Sequence, residues 1–182
     1  MKERLAGCFD DAVAASLEAL EPDDLQEQVG KYLADAHALE EQAIGFLERA
    51  AERDEGSLAD AYEEHLAETR DHAEAVEARL EALGQGRSSL KDAAMRMGAI
   101  NWATFFEAHP DTVGKRAAFA YAFEHLEIGG YEQLKRVAER AGDDETARLA
   151  ERILTNENET AERVAGTWDA AVDAVVSEHA TT

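Results

Sequence analysis

Four stretches of this chain carry apolar side chains at alternating intervals of three and four residues. That spacing gathers them into one stripe on an α-helix and is incompatible with a strand, whose period is two. Over residues 23–52 the stripe is Val29, Leu33, Ala36, Glu40, Ala43, Leu47 and Ala50. Over 58–83 it is Leu58, Tyr62, His65, Thr69, His72, Val76 and Leu80. Over 111–140 it is Val113, Ala117, Ala120, Glu124, Glu127, Tyr131 and Leu134, and over 143–177 it is Leu149, Ile153, Glu157, Thr160, Val164 and Trp168. Proline occurs only at Pro22 and Pro110, while Ala, Glu and Leu dominate, so composition agrees with periodicity.

The punctuation between stripes fixes the expected topology. "RDEGS" at 53–57 and "AGDD" at 141–144 are short turns, which force antiparallel neighbours. Ser57 followed by Asp60 predicts a capping box at the second helix. "GQGRSS" at 84–89 instead opens a long connection, whose residues 89–108 predict a weaker helix burying Met95, Ile100, Trp102 and Phe105. Residues 2–20 predict a short amphipathic helix with Leu5, Phe9, Val13 and Leu17 on one side. The expectation is an all-α, ferritin-like four-helix bundle. A long crossover containing a short helix joins its second and third helices, and an extra N-terminal helix precedes it. In domain terms, 1–21 is an accessory helix, 22–178 the bundle and 179–182 a frayed tail.

Each stripe is broken by acids or histidines, and the breaks fall near mid-helix. Counted from a first turn near residue 54, Glu40 lies 14 residues before it and Glu68 14 after. Counted from a second turn near 142, Glu127 lies 15 before and Glu157 15 after. His72 and Glu124 lie 18 residues from their own turns, and His65 one helical turn nearer the first turn than Glu68. Carboxylates gathered in a dry interior must take up protons or share a cation. Oxygen and imidazole donors suit iron first, with manganese or zinc as alternatives. Bundles that bind two such ions use one Glu from each of two helices and a Glu–His pair from each of the other two. The candidate ligands are Glu40, Glu68, His72, Glu124, Glu127, Glu157 and His65. The set departs from that pattern: Glu68 and His72 are four apart, and the last helix offers acids but no histidine. Two readings compete with ligation. Arg116 or Arg136 could neutralise the acids of the third helix, and a core histidine can simply be hydrogen-bonded. His125 is expected outside the ligand set, and Tyr131 is expected to pack with its hydroxyl bonded.

Charge narrows the partners. Forty acidic against 18 basic residues give −22, which repels phosphate backbones and anionic lipid heads alike. Neither nucleic acid nor a membrane is expected as partner. Five lysines against thirteen arginines, with so large an acid excess, point to a halophile's cytoplasm; an acidic mesophilic protein is the alternative. A single cysteine, Cys8, excludes an internal disulfide and a cysteine metal cluster. No apolar run approaches the ~20 residues of a membrane span. The opening "MKERLAGCFDDAV" is too acidic and polar for a secretory signal, so a cytoplasmic location is expected.

Three segments also resemble a known family: "LADAHALEEQAIGFLERAAE", "HLAETRDHAEAVEARLEALG" and "FEHLEIGGYEQLKRVAERAGDDETARLAERILTNE". They are similar to the YciE/YciF family (DUF892) of ferritin-like, stress-associated proteins, over roughly residues 25–170. "EHLEIGGY" resembles that family's Glu-His-x-Glu-Ile-Ala-x-Tyr, and "LEEQ" places Glu40 in its Glu-containing segment. His65, Glu68 and Thr69 match its His-x-x-Glu-Thr, and Glu157 matches an acid of its final helix. The resemblance implies a two-metal centre inside a bundle and a homodimer. The expected function is iron chemistry or the handling of oxygen or peroxide under stress. The alternative is a non-enzymatic helical protein acting through dimerisation or partner contact, with a structural or vestigial metal site.

Overall fold

All four stripes become buried helix faces. The computed structural model describes residues 22–54, 56–84 and 113–180; the helices expected over 2–20 and 89–108 lie outside these. The described helices are α1 (Pro22–Arg53), α2 (Ser57–Ala82), α3 (Val113–Ala141), α4 (Asp144–Ala165) and α5 (Trp168–Ala180), and no strand occurs among the described residues. Every stripe residue of α1 and α2 is buried, as are those of α3 from Ala117 to Leu134 and those of α4 from Leu149 to Val164.

Packing is most extensive within the hairpins α1–α2 and α3–α4, then between α1 and α3, with a lighter α2–α4 contact closing the ring. Side-chain ties show which ends meet. Arg116 at the start of α3 grips Asp54 in the α1–α2 turn through Nε, at 2.9 and 3.1 Å. Arg79 near the end of α2 reaches the start of α4, donating to Asp143 at 2.7 Å, Thr146 at 2.8 Å and Glu145 at 2.7 Å. The α1–α2 turn and the α3–α4 turn therefore lie at opposite ends of the bundle. It follows that α2 ends at one end and α3 starts at the other, so the two run parallel. The chain between them must cross a distance of about 39 Å, the length of a 26-residue helix. That single crossover is the ferritin-like arrangement.

The turns show how the sequence stops each helix. Gly142, at φ 70, ends α3, with its own N–H bonded to Glu139 O at 3.3 Å and the Asp143 N–H to Ala138 O at 2.9 Å. This pair of bonds is a Schellman motif, which needs a residue at positive φ. Asp143 then caps α4, its carboxylate accepting from the Thr146 N–H at 3.0 Å and the Thr146 hydroxyl at 2.7 Å. The helix start expected with Ser57 as its cap is corrected. Gly56, at φ 68, is the N-cap and makes no side-chain cap bond, so Ser57 is already helical. The expected single helix over 143–177 is also corrected, because it breaks at Gly166–Thr167. The Thr167 N–H and hydroxyl both return to Val164 O, at 3.0 and 2.7 Å, and the chain restarts as α5. Glycine disfavours helix continuation and threonine offers the last turn an alternative bond. The break lets α5 pack on α3, with Trp168 edge-on to Tyr121 at 5.4 Å.

The core is divided. One apolar half, at the α3–α4 turn, contains Val29, Leu33, Val76, Leu80, Leu134 and Ile153. The other, at the α1–α2 turn, contains Ala43, Leu47, Leu58, Tyr62, Ala120 and Val164. Between them lies a polar layer. Asp143 joins two hairpins and caps a helix at once, and its carboxyl is lowered from its ordinary value: burial opposes this, but Thr146 and Arg79 outweigh it. Asp143→Ala should therefore destabilise the protein by about 1–2 kcal/mol, visible as a melting temperature lowered by roughly 2–8 °C in thermal denaturation followed by circular dichroism.

Candidate metal centre

Four carboxylates and two imidazoles fill the layer between the apolar halves. Glu40 comes from α1, His65 and His72 from α2, Glu124 and Glu127 from α3, and Glu157 from α4; Glu40, Glu127 and Glu157 are 0% exposed. Each reaches the layer because it occupies a stripe position that would otherwise hold an aliphatic residue. Two sets of donor atoms converge. One comprises His65, Glu124, Glu127 and Glu157, the other Glu40, His72 and Glu157, and within each set the atoms lie within 4.8 Å of one another. Glu157 belongs to both.

The contacts are close but are not those of a satisfied hydrogen-bond network. His65 Nε2 lies 2.9 Å from Glu124 Oε1, and His72 Nδ1 lies 2.8 Å from Glu157 Oε1. Neither imidazole nitrogen is aligned for a hydrogen bond there. Both oxygens of Glu127 and of Glu157, together with Oε2 of Glu40 and of Glu124, are also buried without a hydrogen-bond partner among the described residues. Buried polar atoms are nearly always paired, and an unpaired one costs about 1–3 kcal/mol, more when charged. Donors left unpaired yet converging on common points fit cations. Four carboxylates and two neutral imidazoles also cancel the charge of two divalent ions. The residues present therefore fit a two-metal site, of oxygen-rich character.

Electrostatics agree. Burial, then the charges of neighbouring acids, raise Glu127 and Glu40 well above the usual carboxylate range. Burial pushes Glu124 up to about 7, although His65 opposes this. Among the described residues, the charges acting on these three come from one another, from Glu157 and from His65, and none from a lysine or arginine. The arginine alternative is thus answered by position: Arg116 is committed to Asp54 and Arg136 to Glu132. For His65, burial alone would lower the imidazole, but Glu124 and the acids beyond it raise it.

Of the seven sequence candidates, six converge and one stands apart. Glu68 is half-buried at the edge of the layer and belongs to neither donor set. It is bonded by Arg163, and its Oε2 lies 3.7 Å from His65 Nδ1. It is one residue off the α2 stripe, where Thr69 is fully buried and returns its hydroxyl to His65 O at 2.8 Å. Glu40, expected level with Glu68, instead faces His72, 3.8 Å away. Tyr131, expected to pack with a bonded hydroxyl, donates that hydroxyl to Glu40 Oε1. His125 is exposed and edge-on to Tyr121. Asn156, whose amide lies 3.5 Å from His72 Nε2, was not among the expected site residues. Its only signal in the sequence is its place beside Glu157.

Comparison with known proteins agrees with the fold. The chain is similar to the crystal structure of a protein from Xanthomonas campestris pv. campestris, with 30% identity and a TM-score of 0.70, over 86% of this chain and 98% of that one. It shares its fold with the Escherichia coli stress protein YciF, at 24% identity and a TM-score of 0.70, over 82% of this chain and 97% of that one. It also shares its fold with the bacterioferritin of Desulfovibrio desulfuricans, described by its diiron site, at 21% identity and a TM-score of 0.64, over 83% of this chain and 84% of that one. The profile of the family described as "Domain of unknown function (DUF892)" matches residues 24–177, and the chain belongs to that family.

Proposed function

We propose that this protein binds two divalent metal ions, iron first, in the layer between its apolar halves, and uses them in oxygen or peroxide chemistry associated with stress. The observation that supports this most is the set of buried, unpaired carboxylate and imidazole atoms converging in two groups that share Glu157. His65, Glu124 and Glu127 would hold one ion, Glu40 and His72 the other, and Glu157 both. Bound iron supplies reversible one-electron chemistry towards a small oxidant. The chain's own residues do the rest. The apolar halves keep bulk water from the layer, and the hydroxyl of Tyr131 holds one oxygen of Glu40 so that the other remains free. Among the described residues no helix is long and apolar enough to cross a membrane.

Elemental analysis of protein reconstituted with Fe(II) or Mn(II) tests this. The wild type should bind two equivalents. Glu157→Ala should bind less than one, because that residue serves both groups, while Glu159→Gln, on the exposed side of the same helix, should keep two. No metal on the wild type, even after reconstitution, favours the non-enzymatic alternative. With metal bound, the same preparations should consume hydrogen peroxide faster than Glu157→Ala, measured by loss of peroxide over time.

Linkage gives a further expectation. Glu40, Glu124 and Glu127 have folded values raised above their ordinary ones. Such groups stabilise the fold below their unfolded value, and that contribution is lost as pH rises through the folded value, about 7 for Glu124. The melting temperature of metal-free protein should fall between about pH 5 and 8. Glu124→Gln should flatten the fall relative to wild type, which separates the site from the general repulsion of an acidic surface. Metal binding needs the carboxylates ionised, so stabilisation by Mn(II) should grow over the same interval.

A further inference from the structure

Glu68 is the acid that the donor sets leave out, and its surroundings give it another task. His65 presents Nε2 to the layer, 2.9 Å from Glu124, and Nδ1 away from it. Nδ1 is buried and has no hydrogen-bond partner among the described residues; Glu68 Oε2 lies 3.7 Å from it, one helical turn along α2. Glu68 is itself anchored from α4, by Arg163 and by the Thr160 hydroxyl at 3.4 Å, with Arg163 also donating to Thr160 at 2.6 Å. The second imidazole is backed differently. His72 turns Nδ1 to the layer, and its Nε2 faces the neutral amide of Asn156.

A metal-ligating histidine nearly always donates its other N–H to a carboxylate, a carbonyl or water, and losing that partner weakens metal binding about 10–100-fold. Resting on the dimetal reading above, we propose that Glu68 is a positioning residue and not a ligand. It accepts the Nδ1–H of His65, which fixes the tautomer whose Nε2 lone pair points into the layer. Arg163 and Thr160 hold the carboxylate within a small rotation of that bond, and Arg163 balances its charge, so Glu68 can sit beside the site without adding an unpaired anion to it. The two metal positions are consequently unequal. The His65 position is backed by a carboxylate and the His72 position by an amide, and only the first depends on Glu68.

The test uses the full-length chain and Co(II) or Zn(II) alone. Co(II) titration, followed by visible absorption, should show two equivalents on the wild type. In Glu68→Leu one equivalent should weaken about 10–100-fold while the other is unchanged, and the metal-free melting temperature should stay near wild type. In Glu68→Gln, whose amide oxygen can accept the same N–H, both equivalents should keep near-wild-type affinity. In the Zn(II)-loaded protein the His65 Nδ1–H should give a slowly exchanging downfield proton resonance, present in wild type and Glu68→Gln and absent in Glu68→Leu. Unaltered affinity and an intact resonance in Glu68→Leu would overturn this assignment and leave the dimetal reading standing. Equal loss in Glu68→Gln and Glu68→Leu would overturn it in favour of direct ligation. A wild type that takes up neither metal would remove both proposals together.

Discussion

Four carboxylates buried side by side repel one another, and among the described residues no neighbouring lysine or arginine is a cause of the shifts of Glu40, Glu124 or Glu127. A layer of that kind can exist only if protons or cations occupy it and the rest of the bundle supplies enough apolar packing to hold it shut. The divided core meets the second condition. Aliphatic and aromatic side chains close the bundle above and below, and the two hairpins are locked at opposite ends by Arg79 on Asp143 and by Arg116 on Asp54. Both locks are near helix termini, where turn backbone and caps already need polar partners, so the charged ties stay out of the middle. Of the arginines that could have neutralised the acids of α3, Arg116 is spent on one end and Arg136 on Glu132.

The periodicity of the sequence carried most of this. A three-four alternation identifies a buried helical face even when a Glu or His stands in it, and the stripe positions of α1, α2 and α4 up to Val164 are buried as the spacing requires. What the spacing does not carry is the consequence of a single step along a helix. One residue is a rotation of ~100°, enough to move Glu68 from the layer to its rim while Thr69 turns inward. Measuring depth from the turns made Glu68 look level with Glu40, but level is not the same as facing. The break at Gly166–Thr167 was hidden for a related reason. Its apolar spacing runs on towards Trp168, and the break shows in the bonds that Thr167 returns to Val164 O. The helices expected over 2–20 and 89–108 lie outside the described residues.

The site holds the same four carboxylates and two imidazoles as the pattern of one Glu from two helices and a Glu–His pair from the others, but distributes them differently. Both histidines come from α2, at one side of the layer, and α4 supplies Glu157 with Thr160 beyond it. This asymmetry follows from the sequence and persists in the geometry, because each imidazole stands against a different carboxylate and is backed by a different group. A donor set dominated by carboxylates favours hard divalent ions and stabilises their higher oxidation states more than a nitrogen-rich one would. That is the physical link between this layer and the proposed use of oxygen or peroxide. The fold is shared with a bacterioferritin described by its diiron site, and the residues of this chain decide what its own layer holds.

The most direct measurement is an anomalous-scattering map from crystals grown with Mn(II) or Fe(II). The account predicts two peaks inside the bundle. One would lie among His65, Glu124, Glu127 and Glu157, and the other among Glu40, His72 and Glu157, with Glu68 in contact with neither. A map without a peak in that layer, with the same carboxylates paired to protonated neighbours or to arginine, would contradict it.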